Sequence, residues 1–192
     1  ASGIQVSQEA ALVAKHLTVF QRTPNMYLPM GQKDYGADEN KRMKKELPQR
    51  FRRRGECFGG FDFDFIPTSG ADVSDEEREE TYEKLWKAGG FKFWLGTYHD
   101  VFSDEGVNRT AYEFWKKKTR ERIKDKELAE KLAPSEPPHP YAVKRPSLEQ
   151  WYFDIFNYDN TRLVSLKDEP ILSMSKSGIV TNNKEYEFDI VV

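Results

Sequence analysis

Strand-forming residues cluster near both ends of the chain, and a long segment without such a pattern separates them. Near the start, apolar residues at helical spacing over residues 4–14 precede a short strand, Leu17-Thr-Val-Phe20, and the turn formers Pro24 and Asn25 end it. Strands return after residue 141. This order predicts an α/β fold: a nucleotide-binding, Rossmann-like sheet interrupted by an α-helical insertion. The predicted boundaries are 1–29 and 141–192 for the two parts of the nucleotide-binding domain and 30–140 for the insertion.

The middle segment, residues 30–140, contains several sequence patterns that start or end α-helices. Ser74 with Glu77 three residues on is a capping box, and the helix that it starts should end at Ala88, before Gly89-Gly90. A second helix is predicted from Asn108 and a third from Asp125. The proline-rich residues 135–140 end the helical pattern.

Four strands are predicted in the last segment. They cover residues 163–166, a hairpin formed by 171–174 and 179–181, and the apolar run 188–192. A continuous apolar run of this kind is typical of a parallel strand buried on both faces.

Charge and cysteine content limit the environment and the partners. The formal net charge is −2, which gives no general attraction to nucleic acid or to an anionic membrane. The eight Lys and Arg residues between 38 and 54 are interspersed with acids and favour a solvated helix face over a phosphate or nucleic-acid site. A single cysteine, Cys57, excludes an internal disulfide and favours a cytoplasmic location. We therefore expect neither a nucleic acid nor a membrane as partner.

Other kinds of site find little support in the sequence. The three histidines, His16, His99 and His139, are scattered and show neither metal-ligand spacing nor a catalytic triad pattern, so no metal is predicted. His99 with Asp100 is interpreted as a loop pair. The phenylalanines between residues 58 and 65 fit packing under a loop better than a substrate tunnel.

One spacing points to a dinucleotide. Gly3 opens the first helix, and Arg22 follows 19 residues later, at the end of the strand after that helix. In dinucleotide-binding folds the pyrophosphate lies on this helix N-terminus, and an arginine at the later position favours the 2′-phosphate of NADP over NAD. Thr23 adds a hydroxyl. The alternative is an ordinary helix–strand unit with a surface arginine, because Gly3 is the only glycine of the motif in the sequence.

Several segments resemble Baeyer–Villiger-type flavin monooxygenases in collinear order. Phe-Gln-Arg-Thr-Pro-Asn at residues 20–25 looks like the second nucleotide-binding motif of that family, and Lys144-Arg145-Pro146 also matches. Supporting similarity lies in Gly-Gly-Phe-Lys-Phe-Trp at 89–94, in the aromatic stretch 152–160 and in the closing residues 187–192. The similarity covers essentially the whole chain.

The resemblance implies an enzyme in which NADPH reduces FAD. The reduced FAD binds O₂, and the peroxyflavin attacks a ketone to give an ester or a lactone. By position, Gly3 and Gln5 would lie near the phosphates of NADP, Arg22 and Thr23 at its 2′-phosphate, and Lys144 on the NADP side. Arg145 would be the catalytic arginine, whose guanidinium stabilises negative charge without moving a proton.

The family's FAD-binding glycine motif is absent from the sequence, which leaves open whether this chain alone binds FAD or NADP. Two alternatives remain: a related flavin monooxygenase that oxidises nitrogen or sulfur, and a non-catalytic nucleotide-binding or interaction module. We also expect open strand edges, since the central strand of a doubly wound sheet would precede residue 1. Such edges favour self-association.

Overall fold

The computed structural model describes residues 2–192, so Ala1, which the sequence places in the first phosphate loop, lies outside the described residues. The α-helices are Ser2–Val13 (α1), Ala37–Glu56 (α2), Asp75–Ala88 (α3), Lys92–Leu95 (α4), Glu105–Arg120 (α5) and Lys126–Leu132 (α6), with a 3-10 helix at Asp154–Asn157. The strands are Leu17–Gln21 (β1), Leu28–Pro29 (β2), Leu148–Glu149 (β3), Thr161–Ser165 (β4), Ile171–Met174 (β5), Gly178–Thr181 (β6) and Glu185–Glu187 (β7).

The chain forms two compact units. The first contains the described part of residues 1–25 with Lys116–Pro138 and Trp151–Val192, and the second contains Met26–Trp115 and His139–Gln150. This division differs from the boundaries expected from the sequence, because residues 116–138 group with the two ends of the chain and not with the other helices. The assignment of 1–29 and 141–192 to nucleotide binding and of 30–140 to an insertion stays a prediction.

The first unit is built on a parallel pair of strands, β1 and β4, in which Leu17 is opposite Thr161 and Gln21 is opposite Ser165. A parallel pair needs a crossover connection, and here the intervening chain includes the second unit. Helix α1 packs on β1. The predicted α/β class is confirmed, and the parallel pair is its core.

A three-stranded antiparallel sheet with the order β5-β6-β7 completes the first unit. It packs on the parallel pair through Phe20, whose ring meets those of Tyr186 and Phe188 edge-on at centroid distances of 5.4 and 6.0 Å. The predicted hairpin is confirmed. The predicted strand over residues 188–192 is wrong: the last strand is β7, and Ile190, Val191 and Val192 are exposed. A buried strand needs ladder partners and covered faces. In this run Phe188 donates its N–H to the Ser177 carbonyl at 2.9 Å and packs on Phe20, but the exposed residues 190–192 pair with no strand among residues 2–192.

The second unit has an aromatic core. The rings of Tyr82, Phe93 and Phe114 contact one another with centroid distances of 5.1–5.4 Å. Tyr141 joins them through Phe93 at 5.3 Å. The short parallel pair β2 and β3, which the sequence did not predict, ties residue 28 to residue 148.

The helix ends follow the capping signals with one correction. The Ser74 hydroxyl accepts a hydrogen bond from the Glu77 N–H at 3.2 Å, and Gly89 ends α3 with a φ of +67°. Helix α5 begins at Glu105 and not at Asn108, because the Asp104 carboxylate accepts the N–H of Val107 at 2.8 Å and caps the helix one turn earlier.

Residues 2–192 contain neither a helix suited to cross a membrane nor a cluster of metal-ligating side chains. No helix in this part of the chain combines the length and apolarity that crossing a bilayer requires. Within the same residues, no group of three or more His, Cys, Asp or Glu side chains converges on a possible metal position.

Candidate nucleotide-binding edge and arginine loop

Arg22 and Thr23 directly follow β1, at the edge of the parallel pair where both strands end. The Gln21 carbonyl accepts the N–H of Leu166, which pins the end of β1 to the end of β4. The Gln21 amide also donates to the Lys131 carbonyl at 2.9 Å. Arg22 and Thr23 are exposed, and neither side chain bonds to any of residues 2–192. Ligands of open α/β sheets bind at this carboxyl edge.

The end of α1 is fixed to the beginning of the parallel pair. Asn160 donates to the carbonyls of Ala11 and Ala14 at the end of α1, and its own carbonyl accepts the N–H of Leu17. The end of α1 therefore lies where β1 and β4 begin.

Gly3 and Gln5 lie in the first turns of α1, and both are exposed. A Cβ built on Gly3 would meet no atom within 4 Å, so the space beside this backbone is open. The free N–H groups of a first helical turn attract anions. Gly3 and Gln5 therefore lie beside open backbone N–H groups at the start of α1, and Arg22 and Thr23 present a guanidinium and a hydroxyl directly after β1. Groups of these kinds can hold a phosphorylated ligand.

Lys167 is a residue at this edge that the sequence reasoning missed. It lies two residues after the end of β4, as Thr23 lies two residues after the end of β1; it is exposed, and it has no ion pair with any residue from 2 to 192. The neighbouring Asp168 faces the Lys131 ammonium at 3.8 Å. The parallel pairing of β1 with β4 is the information that would have identified Lys167, because residues that follow paired parallel strands lie at the same edge of the sheet.

Lys144 and Arg145 lie in the second unit, on an exposed loop. Contacts within the same unit hold the residues before and after this loop in place. After the loop, Pro146 is buried, and the Ser147 carbonyl accepts the N–H of Leu28 at 2.9 Å at the start of the β2–β3 pair. The side chains of Lys144 and Arg145 make no hydrogen bond or ion pair within residues 2–192. An exposed guanidinium on a fixed loop can bind an anion from outside the unit.

The anchor before the loop is Tyr141. The Asn108 side chain binds both backbone groups of Tyr141: its carbonyl oxygen accepts the Tyr141 N–H at 2.7 Å, and its NH₂ donates to the Tyr141 carbonyl at 3.1 Å. The Tyr141 hydroxyl donates to the Phe93 carbonyl at 3.2 Å. Burial raises the pKa of Tyr141 well above its usual range, so the hydroxyl stays a donor.

Ala142 continues this anchor with an unusual backbone conformation. It has a φ of +59°, a left-handed conformation that costs a residue with a Cβ free energy. The Asn108 bonds and the buried Tyr141 ring hold the turn in place, and this turn directs the chain outward to Lys144 and Arg145.

Two weaker candidates from the sequence prove to be structural. Asp100 accepts hydrogen bonds from the Ser69 hydroxyl at 2.6 Å and from the Gly70 N–H. Burial raises the pKa of Asp100, but these bonds outweigh it and the net pKa is lowered. His99 lies beside this carboxylate at 3.8 Å, as a loop pair. The phenylalanines between 58 and 65 pack on one another and on neighbouring rings, with Phe61 and Phe63 stacked at 5.2 Å.

Comparison with known proteins decides the family. No family model matches the chain. The chain is 56% identical over 191 residues to a cyclopentanone 1,2-monooxygenase from Comamonas sp. (strain NCIMB 9872), with all of the chain and 35% of the relative covered. It is 36% identical over 196 residues to a Baeyer–Villiger monooxygenase from Pseudooceanicola batsensis, with the same coverage. Over its full length the chain corresponds to a segment of the Baeyer–Villiger-type flavin monooxygenases.

A solved structure supports the same assignment for the fold. The crystal structure of OTEMO in complex with FAD and NADP superposes with a TM-score of 0.94 at 33% identity, over 98% of this chain and 35% of that one. The chain spans about a third of the length of the relatives that it matches. The resemblance to this family that the sequence motifs indicated is therefore confirmed for the segment, and so is the predicted Rossmann-like fold class.

Proposed function

We propose that the chain is the NADPH-binding portion of an FAD-dependent Baeyer–Villiger monooxygenase. The observation that supports the proposal is the carboxyl edge of β1 and β4, where the exposed Arg22 and Thr23 directly follow β1. A 2′-phosphate would be held by the guanidinium of Arg22 and the hydroxyl of Thr23. The pyrophosphate would lie against the backbone at Gly3 and Gln5.

The residues of this edge fit the chemistry of NADP better than that of NAD. In NAD-binding folds of this kind a carboxylate accepts the ribose 2′-hydroxyl, whereas the position after β1 here holds the cation of Arg22. Lys167, across the same edge, adds a second positive charge. The open space beside Gly3 allows a phosphate to approach the helix N-terminus closely.

For the whole protein we propose the activity named for its relatives. It would insert an oxygen atom next to the carbonyl of a ketone to give an ester or a lactone, with O₂ as co-substrate and FAD as the second cofactor. A cyclic ketone is the proposed substrate class, because the 56% identical relative is named for cyclopentanone. FAD, when bound, supplies the oxygen chemistry, and the protein supplies binding and orientation.

We propose that, in the whole protein, Lys144 lies near the bound NADP and Arg145 is the catalytic arginine. The anchored loop holds Arg145 exposed, and its planar guanidinium offers several donors to a developing negative charge. We also propose a cytoplasmic location, because the single cysteine, Cys57, is free.

Calorimetric titration of the purified chain with NADPH and NADH tests the cofactor proposal. Arg22→Ala should weaken NADPH binding by about 1.5–3 kcal/mol, typical of a charge-assisted contact, and should leave NADH binding nearly unchanged. Lys15→Ala is the matched control, since it removes one exposed charge at the opposite end of β1. Equal losses for both cofactors, or the same loss in the control, would contradict the assignment.

A further inference from the structure

Helix α2 is attached to the rest of its unit along one side only. None of its 20 residues is buried. The Arg50 guanidinium forms an ion pair with Asp62, and Arg54 donates to the Gly60 carbonyl at 2.8 Å. These contacts define the attached side of the helix and leave another side facing solvent.

The solvent-facing side carries a basic stripe, which we define as Lys41, Lys44, Lys45 and Arg52. Their spacing of three, four and seven residues places them on one side of the helix, over about 16 Å of its length. All four are exposed, and none forms an ion pair or a hydrogen bond with the described residues 2–192. Other cations of the same helix do have partners: Arg42 lies near Glu39 and Arg53 near Glu56.

Exposed apolar side chains adjoin the basic stripe. Leu47 and Pro48 lie three and four residues after Lys44, and Phe51 follows Leu47 by four residues, with the Arg54 guanidinium 5.5 Å from its ring. Phe51 is 59% exposed and Leu47 is 38% exposed. Such a helix face combines unpaired cations with exposed apolar groups. It can therefore bind a surface whose outer layer is anionic and whose next layer is apolar.

We propose that the basic stripe, together with Leu47, Pro48 and Phe51, is a docking surface for an anionic lipid bilayer. The cations would contact the headgroups while Leu47 and Phe51 enter the interfacial layer. A nucleic acid would satisfy the charges but would leave the leucine and the proline against a polar backbone. The total charge of −2, on which the expectation of no membrane partner rests, conceals this local concentration of positive charge.

Co-sedimentation with vesicles tests the docking surface on the chain itself. The chain should bind vesicles of phosphatidylcholine mixed with phosphatidylserine, should not bind phosphatidylcholine alone, and should be released by salt. One cation near an anionic bilayer strengthens binding about fivefold, so Lys41→Gln with Arg52→Gln should weaken it roughly 25-fold. Phe51→Ser should weaken it further.

The matched control is Arg42→Gln with Arg53→Gln, which removes two charges of the same helix that lie outside the basic stripe, about 100° around the axis from Lys41 and Arg52. Circular dichroism of each variant should show unchanged helix content. Four results would each overturn the proposal: no binding to anionic vesicles, equal binding to neutral ones, equal losses in the two double variants, or displacement from the vesicles by a DNA duplex at equal phosphate concentration.

Discussion

At the residue scale, Asn108 shows how one side chain can fix the backbone at the start of the loop that carries Lys144 and Arg145. Its amide binds both backbone groups of Tyr141 and also donates to the Val101 carbonyl at 2.8 Å. Each of these backbone groups would lose its partner if the amide were removed. A buried polar group without a partner costs about 1–3 kcal/mol.

We therefore predict that Asn108→Ala lowers the free energy of unfolding by about 3 kcal/mol, measured by urea denaturation. Asn182→Ala, at an exposed turn, serves as control and should change it by less than about 0.5 kcal/mol. A loss in Asn108→Ala as small as that of the control would show that the Tyr141 turn is held by other contacts.

At the element scale, β6 requires a glycine where it meets β7. A Cβ at Gly178 would lie 1.9 Å from the Tyr186 carbonyl oxygen, which is part of the paired strand. The backbone cannot yield without breaking the ladder. Gly55, near the end of α2, has no atom within 4 Å of the same position.

These two glycines give predictions of opposite sign. Gly178→Ala should destabilise the chain by about 3 kcal/mol, because overpacking forces the strands apart. Gly55→Ala should stabilise it by about 0.5–1 kcal/mol, since alanine favours the helix and restricts the unfolded chain. Thermal unfolding of both variants measures the difference. Equal shifts in the two melting temperatures would be inconsistent with this packing of β6 and β7.

Elements with local signals could be predicted from the sequence, whereas elements that depend on distant partners could not. The Ser74 cap and Gly89 fixed the ends of α3, and Asp125 caps α6 through the Glu127 and Leu128 N–H groups. In contrast, β2 and β3 are two residues each and exist only through pairing across the chain. Residues 188–192 have the composition of a strand, but beyond the Phe188 N–H, which donates to the Ser177 carbonyl, they pair with no strand among the described residues.

The residues of the candidate site also differ in whether the sequence alone could identify them. Arg22 and Thr23 could be found from their position after a local strand, and Arg145 from a short motif. Lys167 could not, because its relation to Arg22 arises only from the parallel register of β1 and β4. The Asn108–Tyr141 anchor joins residues 33 positions apart and has no local sequence signal.

At the scale of the whole molecule, β5 is an open edge. It pairs only with β6 among the described strands, and Leu172 and Met174 are 65% and 61% exposed. Open apolar edges recruit other chains. We predict that the chain self-associates through β5, so that light scattering shows a mass that rises with concentration.

Leu172→Lys should shift the chain toward the monomer by placing a charge on this edge. Leu12→Lys is the control, since Leu12 is 57% exposed but lies on helix α1. A monomeric unsubstituted chain at all concentrations, or equal effects of the two lysines, would show that β5 is not the contact.

The central claim is that the edge after β1 distinguishes NADP from NAD. Amide chemical shifts of the ¹⁵N-labelled chain, titrated with NADP⁺ and with NAD⁺, test it most directly. We predict that both ligands shift the amides at the start of α1, near Gly3 and Gln5, and that NADP⁺ alone strongly shifts those of Arg22 and Thr23 and affects Lys167. Identical shifts at Arg22 and Thr23 with both ligands, or shifts confined to other parts of the chain, would contradict the claim.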